Sequence, residues 1–485
     1  MSDFNFVGAA YQAASITQDD QSCINWYPET DPTKKPASEK GPAERGIMAL
    51  YPTPGTVTRA ELDVAEVRGV HTLPGGNEMI AVSGSEAYLI QPDYSKAVIG
   101  SLLTFNGPVS ITDNGTSAYF TDGQHRYAYD LLSGYFSAVT DGPFIEGGVC
   151  DILDNFIIYN RPGTRQWGCT DVSSSASGAL NLGSLIGASC NIKAVVADHR
   201  QVLVIGENFS ERHVNVGTFP FPFAVIPGSS MQHGCDAPAS IARLGESVIF
   251  LALDNRGRSS VIMWGAATTT PVRVSTFAVE SAFQSYSVTS DAIGYSYAQS
   301  GHEFYVLTFP TENVTWCFDL ASNLWHKRAW RNDMGILNRH RSNCCTVFGN
   351  DIVVGDFENG KLYALSQQDY TDDGDAIPCI RRCRHITSDL NRQFFSSLQI
   401  QFQPGVGLVT GQGDDPECIL RWSNDGGFTW GNDHPLKLGK IGRYKHRAIK
   451  RRLGYSRDRI FEIEMTDPVY RVVVSAELNA SAGAN

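Results

Sequence analysis

Seven pairs of short alternating strands recur along the chain at a nearly constant spacing, and this repeat restricts the fold more than any other feature. Runs of four to eight residues alternate apolar and polar side chains and are bounded by Gly, Asn and Asp, the pattern of half-buried strands closed by turns. The clearest begin at Asn77, Thr116, Asp154, His199, Glu246, His302 and Asn350, with gaps of 39, 38, 45, 47, 56 and 48 residues. Such a period accommodates one four-stranded sheet per repeat. A lone sheet of that size cannot bury both faces, whereas sheets stacked around an axis bury them against each other. The expected fold class is all-β: an irregular six- or seven-bladed β-propeller with an additional small β-rich platform domain. The blade number stays open because one of the seven pairs can belong to an inserted or tip domain.

Composition agrees. Of 485 residues, 42% are hydrophobic and 19% charged, which supplies a core and excludes a mainly disordered chain. The 46 glycines and 11% aromatics favour short strands and tight turns. No run approaches ~20 apolar residues, so no membrane span is expected. The opening MSDFNFVGAAYQAAS lacks a basic stretch followed by an apolar one, so no secretory leader is expected. Eleven cysteines without regular spacing are expected to be reduced and mostly buried.

The repeat body is expected at 62–368, preceded by an N-terminal arm at 1–61 that is extended or completes a blade. The acidic stretch 369–375 reads as a linker, and 376–485 as a C-terminal β-rich domain. Charge divides at that boundary: residues 376–485 hold 16 Lys and Arg against 11 Asp and Glu, a net +5, so the −12 of the whole chain leaves −17 for residues 1–375. The large part should repel nucleic acid, and only the C-terminal part can attract polyanions. Two repeats share a turn, Asp130-Leu-Leu-Ser-Gly-Tyr-Phe136 and Asp319-Leu-Ala-Ser-Asn-Leu-Trp325. In each an Asp can hold the turn amides, Gly134 or Asn323 can take positive φ, and the aromatic opens the next strand.

Residues that could carry chemistry are few. Ser423, Asp425, Gly427, Thr429 and Trp430 match an Asp-box at every defined position. Its Asp accepts turn amides and its Trp packs over the hairpin, a structural role. Cys379, Cys383 and His385 suggest a metal, but a second ligand pair at suitable spacing is missing, so no metal and no cofactor are expected. No nucleophile elbow, Walker loop or dinucleotide fingerprint occurs, and the pairs Asp372-Asp373 and Asp414-Asp415 read as solvated turn residues. No catalytic residue and no enzyme activity are expected. The dense basic run holds Lys445, Arg447, Lys450, Arg451 and Arg452, candidates for contact with an acidic partner or with DNA phosphates; the plainer alternative is a solvated edge that deters strand pairing.

Several segments together resemble one family. Asn25-Trp-Tyr-Pro-Glu29 followed by Leu50-Tyr-Pro-Thr-Pro-Gly-Thr56 is similar to the opening of phage packaged-DNA stabilisation proteins, the tail hub or nozzle proteins of short-tailed bacteriophages. Ala237 to Glu280, His302 to Trp330, Asp356 to Tyr363 and the C-terminal SNDGGFTWGN and Arg452-Leu-Gly-Tyr-Ser-Arg also fit, in order. The resemblance implies a β-propeller with a β platform, in a hexameric tube below the portal and its adaptor ring. That tube retains packaged DNA and serves as the conduit for ejection. It further implies a needle or plug and tail spikes or fibres as partners, double-stranded DNA passing without sequence preference, and location in the virion tail after assembly in the host cytoplasm. The alternative from another class is a propeller that binds or hydrolyses glycans, which needs convergent carboxylates and an arginine cluster at one mouth.

Overall fold

A computed structural model describes residues 2–3, 6–30, 48–62, 65–265, 270–388 and 391–483. Among them, strand pairing forms seven four-stranded antiparallel units in sequence order. The first runs Val67–Thr72, Met79–Ser83, Glu86–Ile90 and Lys96–Ser101. The next five occupy 110–138, 150–184, 192–225, 242–273 and 293–331. The last takes Ser342–Phe348, Asp351–Asp356 and Lys361–Ser366 from its own stretch and its fourth strand, Gly55–Glu61, from the N-terminal region. The first strand of each unit lies at the centre, and the first strand of the last unit packs against that of the first, so the ring closes. The all-β propeller expectation holds, and the single α-helix among the described residues, Phe277–Ser285, connects two units.

Both Asp-initiated turns form. Asp130 Oδ1 accepts from the Leu132 and Ser133 amides at 3.1 and 2.6 Å, with Gly134 at φ 68°. Phe136 then meets Phe120 edge-on and stacks on Tyr127. In the sixth unit Asp319 Oδ1 accepts from the Ala321 amide, Asn323 takes φ 56°, and Trp325 packs between Phe318 and Trp316.

The C-terminal strands form two facing sheets, and the N-terminal region is built into both. Trp26–Thr30 and Met48–Pro52 pair and extend the sheet of Val473–Ala482, Gln393–Phe402 and Ala448–Ser456. Asp20–Ile24 pairs with Cys379–Arg382, which continues to Asp458–Met465, Glu417–Ser423 and His434–Lys437. The same Asp20–Ile24 strand also bridges Lys327 in the outer strand of the sixth unit, so one sheet runs from the ring into the sandwich. Of the two readings of residues 1–61, the strand that completes a blade is Gly55–Glu61; an extended arm is not formed among the described residues, because the other described strands belong to the sandwich. The reason lies in side chains such as Trp26, which is fully buried with Nε1 donating to the Arg471 carbonyl at 2.7 Å.

The acidic stretch 369–375 is more than a linker as well. Thr371–Asp372 and Asp375–Ala376 form a small hairpin beside Gly55–Glu61. Asp372, expected to be solvated, is buried at 4% exposure and accepts from Thr56 Oγ1 at 3.3 Å. Burial lifts its carboxyl to about 6, against the pull of Arg328. The folded chain thus holds this proton more tightly than the unfolded chain, whose carboxyl titrates near ~4. The stability from this group is complete below that value and is lost as pH rises through about 6. Asp372→Asn should therefore gain on the natural chain by up to about 3 kcal/mol between pH 4 and pH 7. Urea unfolding of both chains at the two pH values checks this; an identical difference at both would show that Asp372 does not carry the titration.

Candidate functional site

The five Asp-box residues assemble as the hairpin between Glu417–Ser423 and His434–Lys437. Ser423 Oγ donates to Asp425 Oδ1 at 2.7 Å and accepts from the Gly427 amide at 2.9 Å. Asp425 accepts from the Thr429 amide at 2.9 Å and from Thr429 Oγ1 at 2.5 Å. The hydroxyls of Ser423 and Thr429 hold the Asp425 carboxyl down at about 2. Gly427, at φ 96°, occupies backbone space that a Cβ would strain. Trp430 lies under the guanidinium groups of Arg382 and Arg421, 4.6 and 5.4 Å from its centroid, and both arginines pair with the buried Glu462. Every polar atom of the motif that could act chemically is thus engaged in holding the turn.

The basic run occupies an outer edge of the sandwich. Lys445 and Arg447 stand exposed in the loop after His434–Lys437; Lys450, Arg451 and Arg452 follow on Ala448–Ser456, which among the described residues pairs on one side only, with Gln393–Phe402. Arg452 at φ 61° and Gly454 at φ 76° sit where the register shifts, so the edge is bulged as well as charged. Both features deter a neighbouring strand. Lys437 and Lys440 are held by Asp415 and Asp414 at 2.6 and 3.6 Å, which makes those two carboxylates ion-pair partners. Lys450 Nζ lies 3.2 Å from His434 Nδ1, and His434 stacks on Trp422.

Hairpin and basic edge lie in opposite sheets and are joined by Arg459, which the sequence reading missed. Arg459 is buried, donates to Asn424 Oδ1 at 2.9 and 2.7 Å and to the Leu453 carbonyl at 2.7 Å, and lies over Phe395. Burial drops its pKa to about 10. Asn25 was missed in the same way. At φ 54°, it donates to the carbonyls of Ala329 and Pro378 and accepts from the Ala329 amide, tying the sixth unit to the sandwich. The signal for Asn25 was an Asn before an aromatic strand, a residue type tolerant of positive φ. Buried arginines among basic neighbours carry no such signal.

The residues that suggested a metal have other partners. Cys379 and Cys383 donate to the carbonyls of Asn25 and Arg384, and His385 contacts Asp458 Oδ2 and the Ile16 carbonyl, each at 2.7 Å. All eleven cysteines are free thiols.

A cavity of about 700 Å³ lies on the axis of the ring, lined by the first strands of all seven units. Among its charged side chains, Arg68, Asp122, Asp151 and Arg243 have partners. Arg68 donates to the carbonyls of Gly84, Thr104 and Gly107; Asp151 pairs with Arg243 at 2.6 Å and accepts from the Ala197 amide. Asp122 accepts from Thr104, Tyr127 and the amides of Gln124 and His125. A cavity of this size suits a small molecule and is far too small for duplex DNA.

A family model described as bacteriophage P22 Gp10, beta-propeller, matches residues 38–370, and one described as bacteriophage P22 Gp10, beta-sandwich, matches residues 381–481. No curated protein sequence matches. Similar solved structures include the computationally designed Ika8 protein, at 8% identity over 64% of this chain and 99% of that one, with a TM-score of 0.40. The N-terminal domain of Nup159 is similar at 11% identity over 69% and 99%, also with a TM-score of 0.40.

Proposed function

The chain belongs to the bacteriophage P22 Gp10 family, a family of phage structural proteins associated with DNA stabilisation, and from that premise we propose that it is the nozzle of a short virion tail. In this reading its seven units are the blades of a propeller. Six copies form a tube below the portal and its adaptor ring, hold the packaged genome and later conduct it out, with a needle or plug and tail spikes or fibres attached. The role is structural, without catalysis. The observation that carries the reading is that both halves of the family match in order along the chain.

Physical chemistry supports the arrangement. The cavity within one ring of blades cannot pass a duplex, so a conduit has to be bounded by the outer surfaces of several copies. A channel for a stiff polyanion should not hold it tightly, and residues 1–375, at net −17, repel phosphates. Retention then comes from constriction or a plug. Lys445, Arg447, Lys450, Arg451 and Arg452 form the surface that contacts an acidic partner or guides passing phosphates.

Light scattering and electron microscopy of the chain with and without its adaptor ring test the assembly: six copies on the ring are expected, and a chain that stays monomeric beside the ring overturns the tube. DNA binding should be weak, indifferent to sequence and steeply salt-dependent. Changing Lys445, Arg447 and Arg451 together to Gln should flatten the slope of log K against log salt by about 0.9 for each phosphate no longer neutralised. Tight binding that persists in high salt would contradict a passive wall.

A further inference from the structure

Where the propeller meets the sandwich, four tyrosines from four separate segments line one small cavity. Tyr27 and Tyr51 come from the paired strands Trp26–Thr30 and Met48–Pro52, Tyr370 from the connection after Lys361–Ser366, and Tyr470 from the turn before Val473–Ala482. The space measures about 280 Å³. Tyr27 and Tyr51 stack with centroids 6.0 Å apart and planes 28° apart; Tyr370 and Tyr470 are 6.0 Å apart at 49°. On the propeller side Gln367 Nε2 donates to Ser300 Oγ at 2.6 Å and closes the wall.

The charged lining residue is negative, and the Arg471 guanidinium lies 6.0 Å from the Tyr370 ring centroid. Glu29 is the carboxylate among the described lining residues, and no Lys, Arg or His lines the space with it. Its nearest cationic group is His302 Nε2 at 3.9 Å, and the other nitrogen of that ring is committed to Asp319 at 2.9 Å. Burial, with a smaller contribution from Glu29, raises the phenols of Tyr27, Tyr51 and Tyr470, so the rings stay neutral. Neutral aromatic faces carry a negative quadrupole, and several around one space, beside a carboxylate, attract a weakly hydrated cation.

We propose that this seam is a binding site for an alkylammonium cation, caged by Tyr27, Tyr51, Tyr370 and Tyr470 and neutralised by Glu29. The cation is either a free quaternary ammonium compound or the side chain of a lysine, plain or methylated, on a neighbouring polypeptide. Because its walls come from both the propeller and the sandwich, occupancy fastens one to the other. The site does not depend on the assembly reading, and a single full-length chain suffices to test it.

Calorimetric titration of the full chain with choline, with its uncharged carbon analogue dimethylbutanol, and with short peptides carrying lysine or trimethyllysine provides the test. The charged ligands should bind at least ~10-fold more tightly than the uncharged analogue. Choline binding above both peptides assigns a free cation, and a peptide binding above choline assigns a neighbour's side chain. Tyr51→Phe should keep affinity within about twofold, because the ring face remains, while Tyr51→Ala and Glu29→Gln should each weaken it about 5-fold or more. Tyr470→Ala, at a more exposed ring, replaces Tyr51→Ala should that chain not fold. The absence of binding by every charged ligand at 10 mM, or equal binding of choline and its uncharged analogue, overturns the proposal.

Discussion

A chain beginning at Leu62 is expected to lose the fold altogether, in the sandwich as well as in the ring. The missing stretch contains Gly55–Glu61, the outer strand of the last unit, paired with Lys361–Ser366 over six residue pairs. Without it that unit keeps three strands and an open edge, the kind of edge that invites pairing with another chain. The sandwich loses five described strands at once. The core loses Phe6, Val7, Cys23, Trp26, Tyr27 and Leu50, all at most 6% exposed. At ~1.5–3 kcal/mol for each buried side chain, six of them contribute roughly 9–18 kcal/mol, as much as the ~5–15 kcal/mol of a typical folded domain. Soluble yield, near-ultraviolet circular dichroism and size-exclusion profile measure the outcome. A monodisperse chain with native aromatic dichroism would show that closure by the N-terminal strand is dispensable. The same sharing predicts that ring and sandwich unfold together in the full chain.

The ring was legible because its signal is local. In each of the seven units the second and third strands are consecutive, rich in apolar residues and separated by a short polar turn, and each predicted start falls at or just before a second strand, as Asn77 precedes Met79 and Asp154 precedes Phe156. First strands such as Ala242–Leu244 and fourth strands such as Val272–Arg273 are too short to show a period. That the rest of the N-terminal region enters the sandwich was not legible, for another reason. Asp20–Ile24, Met48–Pro52 and Gly55–Glu61 pair with partners 300 or more residues away, as Cys23 does with Arg381, and nothing in a local pattern names such a partner. Asp372 looked solvated because Asp, Gly and Thr surround it; its burial is decided by the Thr56 strand and by Arg328. The turn of the Asp-box was legible because its hydrogen bonds lie between Ser423 and Thr429, whereas the contact of Trp430 with Arg382 was not. The tyrosine cage was invisible, since its rings lie at positions 27, 51, 370 and 470 and converge only in the fold.

Replacing Arg381 with alanine should cost about 3–5 kcal/mol, because it leaves several buried oxygens without a donor at ~1–3 kcal/mol each. Arg381 is fully buried on Cys379–Arg382, and burial lowers its pKa. Its donors go to uncharged oxygens: Nε to the Phe6 carbonyl at 2.7 Å, Nη1 to the carbonyls of Ala9 and Ser22 at 2.9 and 3.2 Å, and Nη2 to Gln21 Oε1 at 2.7 Å. One guanidinium thus fixes the path of residues 6–22 across the sandwich. Gly8 permits the approach, since a Cβ there would lie 3.0 Å from Nη2. Alanine strands these acceptors away from water, and an unsatisfied buried group costs ~1–3 kcal/mol. Lysine keeps the charge but gathers its donors at one atom and cannot reach a fork of oxygens, so Arg381→Lys should recover only part of the loss. Urea unfolding gives the magnitudes, and hydrogen exchange gives the location, with faster exchange expected first at residues 6–24. A loss below about 1 kcal/mol, or slow exchange preserved in that stretch, would mean that the N-terminal strands are held by their own apolar contacts and that the guanidinium only fills space.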